Sequence, residues 1–305
     1  MLDSHLLGKD SNTYANIFTY MGFPLTRELD DNVDAVVMGI PYDLATSGRS
    51  GARFGPTAIR QASSRLRWEG KRWPHDFALA EKLRVVDYGD LHFSHGNHDE
   101  MVATVISEAG KILSSGKMLL SFGGDHYITL PLLRAASKQY GKLALIHFDA
   151  HVDNEEGFEG YYHGSMFYHA PKEGLIDANK TIQIGIRTEY ESNTHPFSVL
   201  DADWANDHSV EQIIQQIQQV VGDSPAYLSF DIDCLDPAFA PGTGTPSPGG
   251  LTTNKTMQII RGLKDLNIVA MDLMEVAPAY DHAEITSLAA ATLGLEMLHM
   301  IAASK

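Results

Sequence analysis

The run Leu145-Ile146-His147-Phe148-Asp149-Ala150-His151-Val152-Asp153 constrains this chain more than any other stretch. It begins as an apolar, strand-like segment and ends in acids and imidazoles spaced two apart. Extended backbone places residues i, i+2 and i+4 on one side, so Asp149, His151 and Asp153 project together from a strand end. Carboxylates and imidazoles gathered at one point repel or desolvate each other unless a cation sits among them.

Apolar runs of the same kind recur at 35–40, 84–87, 117–122, 142–149, 181–186, 226–231 and 267–273. Helical stretches fall between them, near 99–114, 127–139, 164–170, 209–221, 253–264 and 284–303, and a further helix is expected from Pro56 or Thr57. Alternation of this sort means parallel strands joined by helical crossovers. Residues 1–33 are polar and irregular and read as an N-terminal arm. The remainder, 34–305, has no low-complexity segment or charged linker and reads as a single α/β domain. An open three-layer sandwich and an eight-fold barrel both fit. Each places its site at the carboxyl ends of strands, and periodicity does not choose between them.

Bulk properties exclude several classes. The 44% hydrophobic content of the 305 residues is that of a globular protein, and no apolar run approaches the ~20 residues a bilayer requires. The start, Met1-Leu2-Asp3-Ser4-His5, lacks the basic and apolar parts of a secretion signal. One cysteine, Cys234, excludes an intramolecular disulfide and suits the cytoplasm. Its acidic neighbours disfavour a thiolate, so it reads as a packed residue. A net charge of −16 argues against nucleic acid or an anionic membrane as partner and is compatible with a cationic substrate. The glycine-rich loop 46–56 matches neither the Rossmann nor the Walker pattern, which leaves it a shaped rim and counts against a nucleotide-binding protein.

Polar clusters follow other strands too. Gly123-Gly124-Asp125-His126 follows 118–122, where the glycines let the backbone turn and expose the imidazole. Asp231-Ile232-Asp233 follows 227–230, and Glu275 follows 269–274. Together His126, Asp149, His151, Asp153, Asp231 and Asp233 offer two imidazoles and four carboxylates. That set is too rich in oxygen for structural zinc and too rich in imidazole for calcium. It suits two divalent ions, manganese first, with magnesium, cobalt or nickel possible. Two such ions ~3.5–4 Å apart could share carboxylates and a bridging water that ionises near neutral pH.

These segments resemble the three signatures of the ureohydrolase (arginase/agmatinase) family. The similarity extends through Ala240-Pro241-Gly242-Thr243-Gly244-Thr245-Pro246 and Met274-Glu275-Val276-Ala277-Pro278. It includes Ala45-Thr46-Ser47-Gly48-Arg49 and Gly55-Pro56-Thr57-Ala58-Ile59-Arg60, and so covers nearly the whole chain from about residue 33. The rim segments look most like those of bacterial agmatinases. The resemblance implies a three-layer α-β-α sandwich with an eight-stranded, mainly parallel sheet, and a di-manganese centre. Matched position by position, one metal takes His126, Asp149, Asp153 and Asp231. The other takes His151, Asp149, Asp231 and Asp233. His163 matches a proton-shuttling histidine and Glu275 the carboxylate that holds a guanidinium. The implied reaction is hydrolysis of agmatine to putrescine and urea, in polyamine biosynthesis, by a hydroxide bridging two manganese ions, with Asp149 among the catalytic groups. A cytoplasmic homo-oligomer, trimer or hexamer, is implied as well. The chemistry is consistent, because four carboxylates and a hydroxide outweigh two divalent cations by one charge and favour a cationic substrate.

Substrate choice turns on the loop Asn154-Glu155-Glu156-Gly157-Phe158-Glu159-Gly160. Its acids favour an ammonium tail over a carboxylate, hence agmatine over arginine, with Asn154, Glu155 and Glu156 as tail contacts. Agmatinases usually carry threonine where this chain has Asn154, which leaves guanidinobutyrate, arginine or guanidine as alternative substrates. A binding or regulatory protein that kept the fold would have lost a ligand, and none is missing. His92, His95 and His98 read as a solvated loop, Trp68 as a packing residue, and Tyr161 and Tyr162 as groups that shape the site or pack in the core.

Overall fold

The computed structural model describes residues 19–156 and 160–305. Eight strands form one parallel sheet: β1 Ala35–Ile40, β2 Val85–Asp90, β3 Met118–Gly123, β4 Leu143–Phe148, β5 Ile176–Ile186, β6 Ser198–Asp201, β7 Ala226–Asp231 and β8 Ile268–Met274. Their spatial order is β2-β1-β3-β8-β7-β4-β5-β6. The sheet is open at β2 and β6, so the sandwich holds and the barrel does not.

Helices α1 Gly55–Ser63, α2 Leu79–Lys82, α3 His98–Ser114, α4 Thr129–Tyr140, α5 Met166–Lys172, α6 Ala202–Asp207, α7 Val210–Val221, α8 Thr253–Gly262 and α9 Ile285–Ala303 cover the sheet. Met101 and Val105 of α3, Leu133 of α4 and Phe167 of α5 fill one core layer; Ile59 of α1, Ile213 of α7, Ile260 of α8 and Leu293 of α9 fill the other. Successive strand residues feed opposite layers, as Leu145 and Ile146 do in β4. Local sequence sets the helix starts. Asn97 accepts the Glu100 N–H at the head of α3, and Ser209 with Gln212 forms a reciprocal cap on α7.

The seven strand-like runs all form strands. The eighth, β6, is four half-exposed or exposed residues pairing only with β5, too short for periodicity to reveal. Of the expected arm, residues 1–18 lie outside the described residues. From Thr19 onward the lead-in is docked. Tyr20 is fully buried, its N–H donates to Asp87 at 2.8 Å, and its hydroxyl donates to the Ala291 carbonyl at 2.7 Å. Leu25 then bridges to Asp87 in β2. Among the described helices, α9 alone has the length and apolarity to cross a membrane, but it is mostly buried against α1 and α8. Its Glu296 accepts two bonds from Arg261, at 2.8 and 2.9 Å.

Arg60 of α1 holds this side together. Its guanidinium meets the buried Asp87 through two bonds, at 2.8 and 3.0 Å, and also bonds Asp90, and the two carboxylates hold Arg60 charged despite its burial. Removing one partner of a buried pair strands the other's charge. Arg60→Ala is expected to cost about 3–5 kcal/mol of unfolding free energy in urea denaturation; a loss below about 1 kcal/mol would mean the pair acts like an exposed one.

Candidate metal centre

The four middle strands, β3, β8, β7 and β4, are neighbours, and each delivers polar groups at its carboxyl end. Strand register aligns a buried row just before those ends: His147 pairs with Ser229, Ser229 with Asp272, and Asp272 with Ser121. Two residues further along β4 and β7, on the same side, come Asp149 and Asp231. One polar tier thus lies directly beneath another.

His126 Nδ1 lies 3.1 Å from Asp149 Oδ2, 3.1 Å from Asp153 Oδ2 and 3.2 Å from Asp231 Oδ2. The ring tautomer follows from its other side. Tyr227, Thr129 and Ser229 donate to Asp272 at 2.7, 2.8 and 2.8 Å. Ser229 has spent its proton, so it accepts from His126 Nε2–H at 2.8 Å. Nδ1 is therefore a bare lone pair, buried and without a hydrogen-bond partner, facing three carboxylate oxygens. Only a cation or an added proton makes that tolerable.

A second cluster gathers Asp149, His151 and Asp233. His151 Nδ1 is 3.2 Å from Asp149 Oδ1 and 3.2 Å from Asp233 Oδ2. Asp149 thus turns one oxygen toward each cluster. Backbone and side-chain donors fix the remaining lone pairs: His151 N–H to Asp149 Oδ1 at 2.7 Å, Asp233 N–H to Asp231 at 2.8 Å, Ala150 N–H to Asp233 at 3.1 Å, and the Thr245 hydroxyl to Asp233 at 3.1 Å. Arg187 stitches the loop after β7 by donating to the carbonyls of Asp233, Cys234, Leu235 and Ser247. The donor set of imidazole nitrogen and carboxylate oxygen, with an orphaned nitrogen at its centre, fits divalent cations.

The crowding shows in proton affinities. Burial opposes charge on His151, yet Asp233 and Asp149 offset it and raise the ring to about 12. Burial and Asp149 raise Asp153 to about 7. His147 goes the other way, lowered by burial to about 4 although Asp149 pulls it up.

His163 sits beside the clusters. Its Nδ1 donates to Glu275 Oε1 at 2.9 Å, and Glu275 Oε1 also accepts the His126 backbone N–H at 2.8 Å. Nε2 faces Ser47, whose N–H is 3.0 Å away and whose hydroxyl is 2.6 Å away. Burial works against a charged His163, but the Glu275 carboxylate raises it to about 9. The Ser47 N–H can only donate, which demands a bare Nε2, whereas the rotating hydroxyl can also accept. That pairing lets Nε2 gain and lose a proton in place. Glu275 Oε2 is buried with no donor. Both Glu275 (φ 65°) and Asp153 (φ 46°) hold left-handed backbone that side chains rarely adopt. A cavity of about 210 Å³ opens above, lined by His151, Asp153, Asp231, His163, Ser47, Thr245, Tyr162, Gly164 and Glu155.

All six expected ligands converge, with His163 and Glu275 beside them. Of the tail contacts, Glu155 lines the cavity and accepts from the Tyr162 hydroxyl. Glu156 turns to Tyr168, and Asn154 is not among the lining residues. Gly157, Phe158 and Glu159 lie outside the described residues. His126 is buried rather than exposed. Gly124 serves a close approach, since a Cβ there would stand 1.6 Å from the Tyr42 carbonyl. Cys234 is packed as expected. Trp68 is not, being 75% exposed. His92 and His95 are exposed, but His98 leaves their loop to begin α3 and bonds Tyr42 and Tyr127. Sequence reasoning missed His147, Ser229 and Asp272. The period-two signal that found Asp149 and Asp231, run two residues backward, reaches His147 and Ser229.

An all-parallel sheet ending in this constellation, together with a match of residues 33–300 to the Arginase family model, places the chain in one class of enzyme: it belongs to the arginase family of ureohydrolases. It is 55% identical over 297 residues to an agmatinase from Serratia proteamaculans (strain 568), covering 97% of each chain. The X-ray structure of a hypothetical agmatinase from Burkholderia thailandensis superposes with a TM-score of 0.91 at 47% identity, covering 96% of this chain and 93% of that one. Proclavaminate amidino hydrolase from Streptomyces clavuligerus gives 0.91 at 39% identity, covering 97% and 100%.

These proton affinities predict a pH signature. His151 and His163 are raised above their ordinary 6.5, so their stabilisation is complete below 6.5 and lost as pH climbs toward about 12 and about 9. Asp153, raised above 3.8, loses its contribution on the way to about 7. In chelator, the urea midpoint is expected to rise as pH falls from 9 to 6.5. Added Mn²⁺ should flatten that slope, and a slope of the opposite sign in chelator would refute the charge assignment.

Proposed function

We propose that this enzyme hydrolyses agmatine to putrescine and urea at a centre of two divalent cations, manganese foremost. His126, Asp149, Asp153 and Asp231 would hold one, and His151, Asp149, Asp231 and Asp233 the other. Cations there supply the Lewis acidity that turns water into a strong nucleophile near neutral pH. The observation that carries the substrate reading is the cavity's charge. Among the described residues, its lining includes the carboxylates of Asp153, Asp231 and Glu155 and no lysine or arginine. A substrate cationic at both ends fits such a cavity. Arginine and guanidinobutyrate would bring a carboxylate toward Glu155 with no lysine or arginine among the described lining residues to receive it.

The buried, donor-free Oε2 of Glu275 suits the N–H groups of a guanidinium. Attack on the guanidinium carbon breaks its bond to the departing amine, which must take up a proton. His163, at the cavity wall and raised to about 9, is equipped to donate it. Ser47 then stands on the solvent side of the ring as the group that can exchange that proton. The same reading includes one catalytic domain over 34–305, a cytoplasmic location suited to a lone cysteine, and a homo-oligomer, trimer or hexamer. The exposed Phe54, Trp68 and Trp73 support an assembly that covers them.

Urea release from agmatine, arginine, guanidinobutyrate and guanidine, with and without Mn²⁺, tests the reading. Agmatine is expected to lead, and only with metal. His163→Phe should lower kcat by about 10²–10⁴-fold. Glu155→Gln should raise KM for agmatine with kcat little changed, while Glu156→Gln leaves both alone. A different preferred compound would overturn the tail argument. No urea from any of them, in protein holding metal, would point to a binding protein.

A further inference from the structure

We infer that His147 is a positioning residue for the metal centre, a neutral imidazole that donates Nε2–H to Asp149 and is not itself a ligand. The inference rests on the two-cation reading above. His147 Nε2 lies 2.8 Å from Asp149 Oδ2, close enough that His126, His147, Asp149 and Asp153 form a group of donors able to surround one ion. Position alone therefore permits either role, ligand or hydrogen-bond donor.

The far side of the ring decides between them. Gln183 Nε2 lies 2.8 Å from the Val152 carbonyl and 2.9 Å from His147 Nδ1. A backbone carbonyl can only accept, so the Gln183 amide must present its NH₂ there. Its second N–H then points at His147 Nδ1. At the other end, Gln183 Oε1 is 2.6 Å from His195 Nε2, consistent with the same amide orientation. Nδ1 of His147 is thus an acceptor, and the ring's proton sits on Nε2, facing Asp149 Oδ2. For His147 to bind metal through Nε2 the proton would move to Nδ1. Two donors would then meet head-on where His147 and Gln183 are both fully buried. The ligand role is excluded by its neighbour.

The donor role has a consequence for the whole centre. Asp149 is the carboxylate that reaches both clusters, and its two oxygens are held by two donors, His147 Nε2–H on Oδ2 and His151 N–H on Oδ1. With both in place the carboxylate plane is fixed. Gln183, by holding the Val152 carbonyl, also fastens the backbone between His151 and Asp153.

The test is Mn²⁺ titration of the metal-stripped full-length chain, read from the free Mn²⁺ paramagnetic resonance signal. The natural chain, His147→Leu and His147→Gln are compared, with thermal melting of each stripped protein as the folding control. His147→Leu is expected to weaken Mn²⁺ binding by about 10–100-fold. His147→Gln, which returns an N–H near Nε2, should recover most of that loss. Unchanged affinity in His147→Leu overturns the inference, and so does equal weakening in both variants, which would make the ring itself a ligand. Gln183→Met, which keeps His147 but frees its tautomer, covers the case where the leucine variant fails to fold. It should weaken Mn²⁺ in the same direction, and no change there would also overturn the inference. A natural chain that binds no Mn²⁺ would instead sink the two-cation reading from which this one starts.

Discussion

Four carboxylates, nine-tenths or more buried, converge on two imidazoles, and among the described residues no lysine or arginine forms an ion pair with them. Charge of one sign, withdrawn from water and unpaired, is among the most costly things a fold can contain. Every feature around the centre answers to that imbalance. Beneath the acids lies the buried polar row of His147, Ser229 and Asp272, set in an otherwise apolar sheet. Outer lone pairs of Asp149, Asp231 and Asp233 are occupied by backbone N–H groups, the His147 ring and the Thr245 hydroxyl. What remains is an inward-facing set of lone pairs with a single remedy, which is positive charge brought from outside.

The frame accepts local strain to keep that arrangement. Left-handed backbone at a side-chain-bearing residue costs roughly 1–3 kcal/mol, and the site has two such residues, Asp153 and Glu275. Each is tied down by a backbone hydrogen bond. The Asp153 carbonyl accepts from Phe167 N–H in α5, and the Glu275 N–H donates to the Gly124 carbonyl. Glu275 is thus tied to the turn that leads into His126, and Asp153 to the first turn of α5, just past His163. The polar tier of His147, Ser229 and Asp272 works in the same sense from below, converting strand register into side-chain orientation.

Much of this was legible before any coordinates. Period-two spacing at a strand end reveals Asp149, His151 and Asp153, and again Asp231 and Asp233, because alternation is a property of extended backbone and needs no tertiary knowledge. His126 and Glu275 emerge only because each follows an apolar run. The supporting tier stayed hidden for a physical reason. A histidine or serine inside a buried strand looks like a tolerated exception until its neighbour across the sheet is known, and Gln183 stands 36 residues from the ring it orients. Ser47 is farther still, 116 residues from His163. Short edge elements such as β6 carry too few residues for any period. Tyr20 sits in the short apolar stretch Tyr20-Met21-Gly22-Phe23-Pro24-Leu25, which reading 1–33 as one polar arm passed over, and the exposure of Trp68 runs against the ordinary habits of tryptophan.

The strand order has a consequence for how the molecule comes into being. β3 and β4 are consecutive in the chain yet lie apart, and the slots between them belong to β8 and β7, the last strands to be made. Without β7 and β8, a gap two strands wide would separate the strands that carry His126 and Asp149. Asp231 and Asp233, which complete the carboxylate set, belong to the final quarter of the chain, and it is that quarter which fills the middle of the sheet.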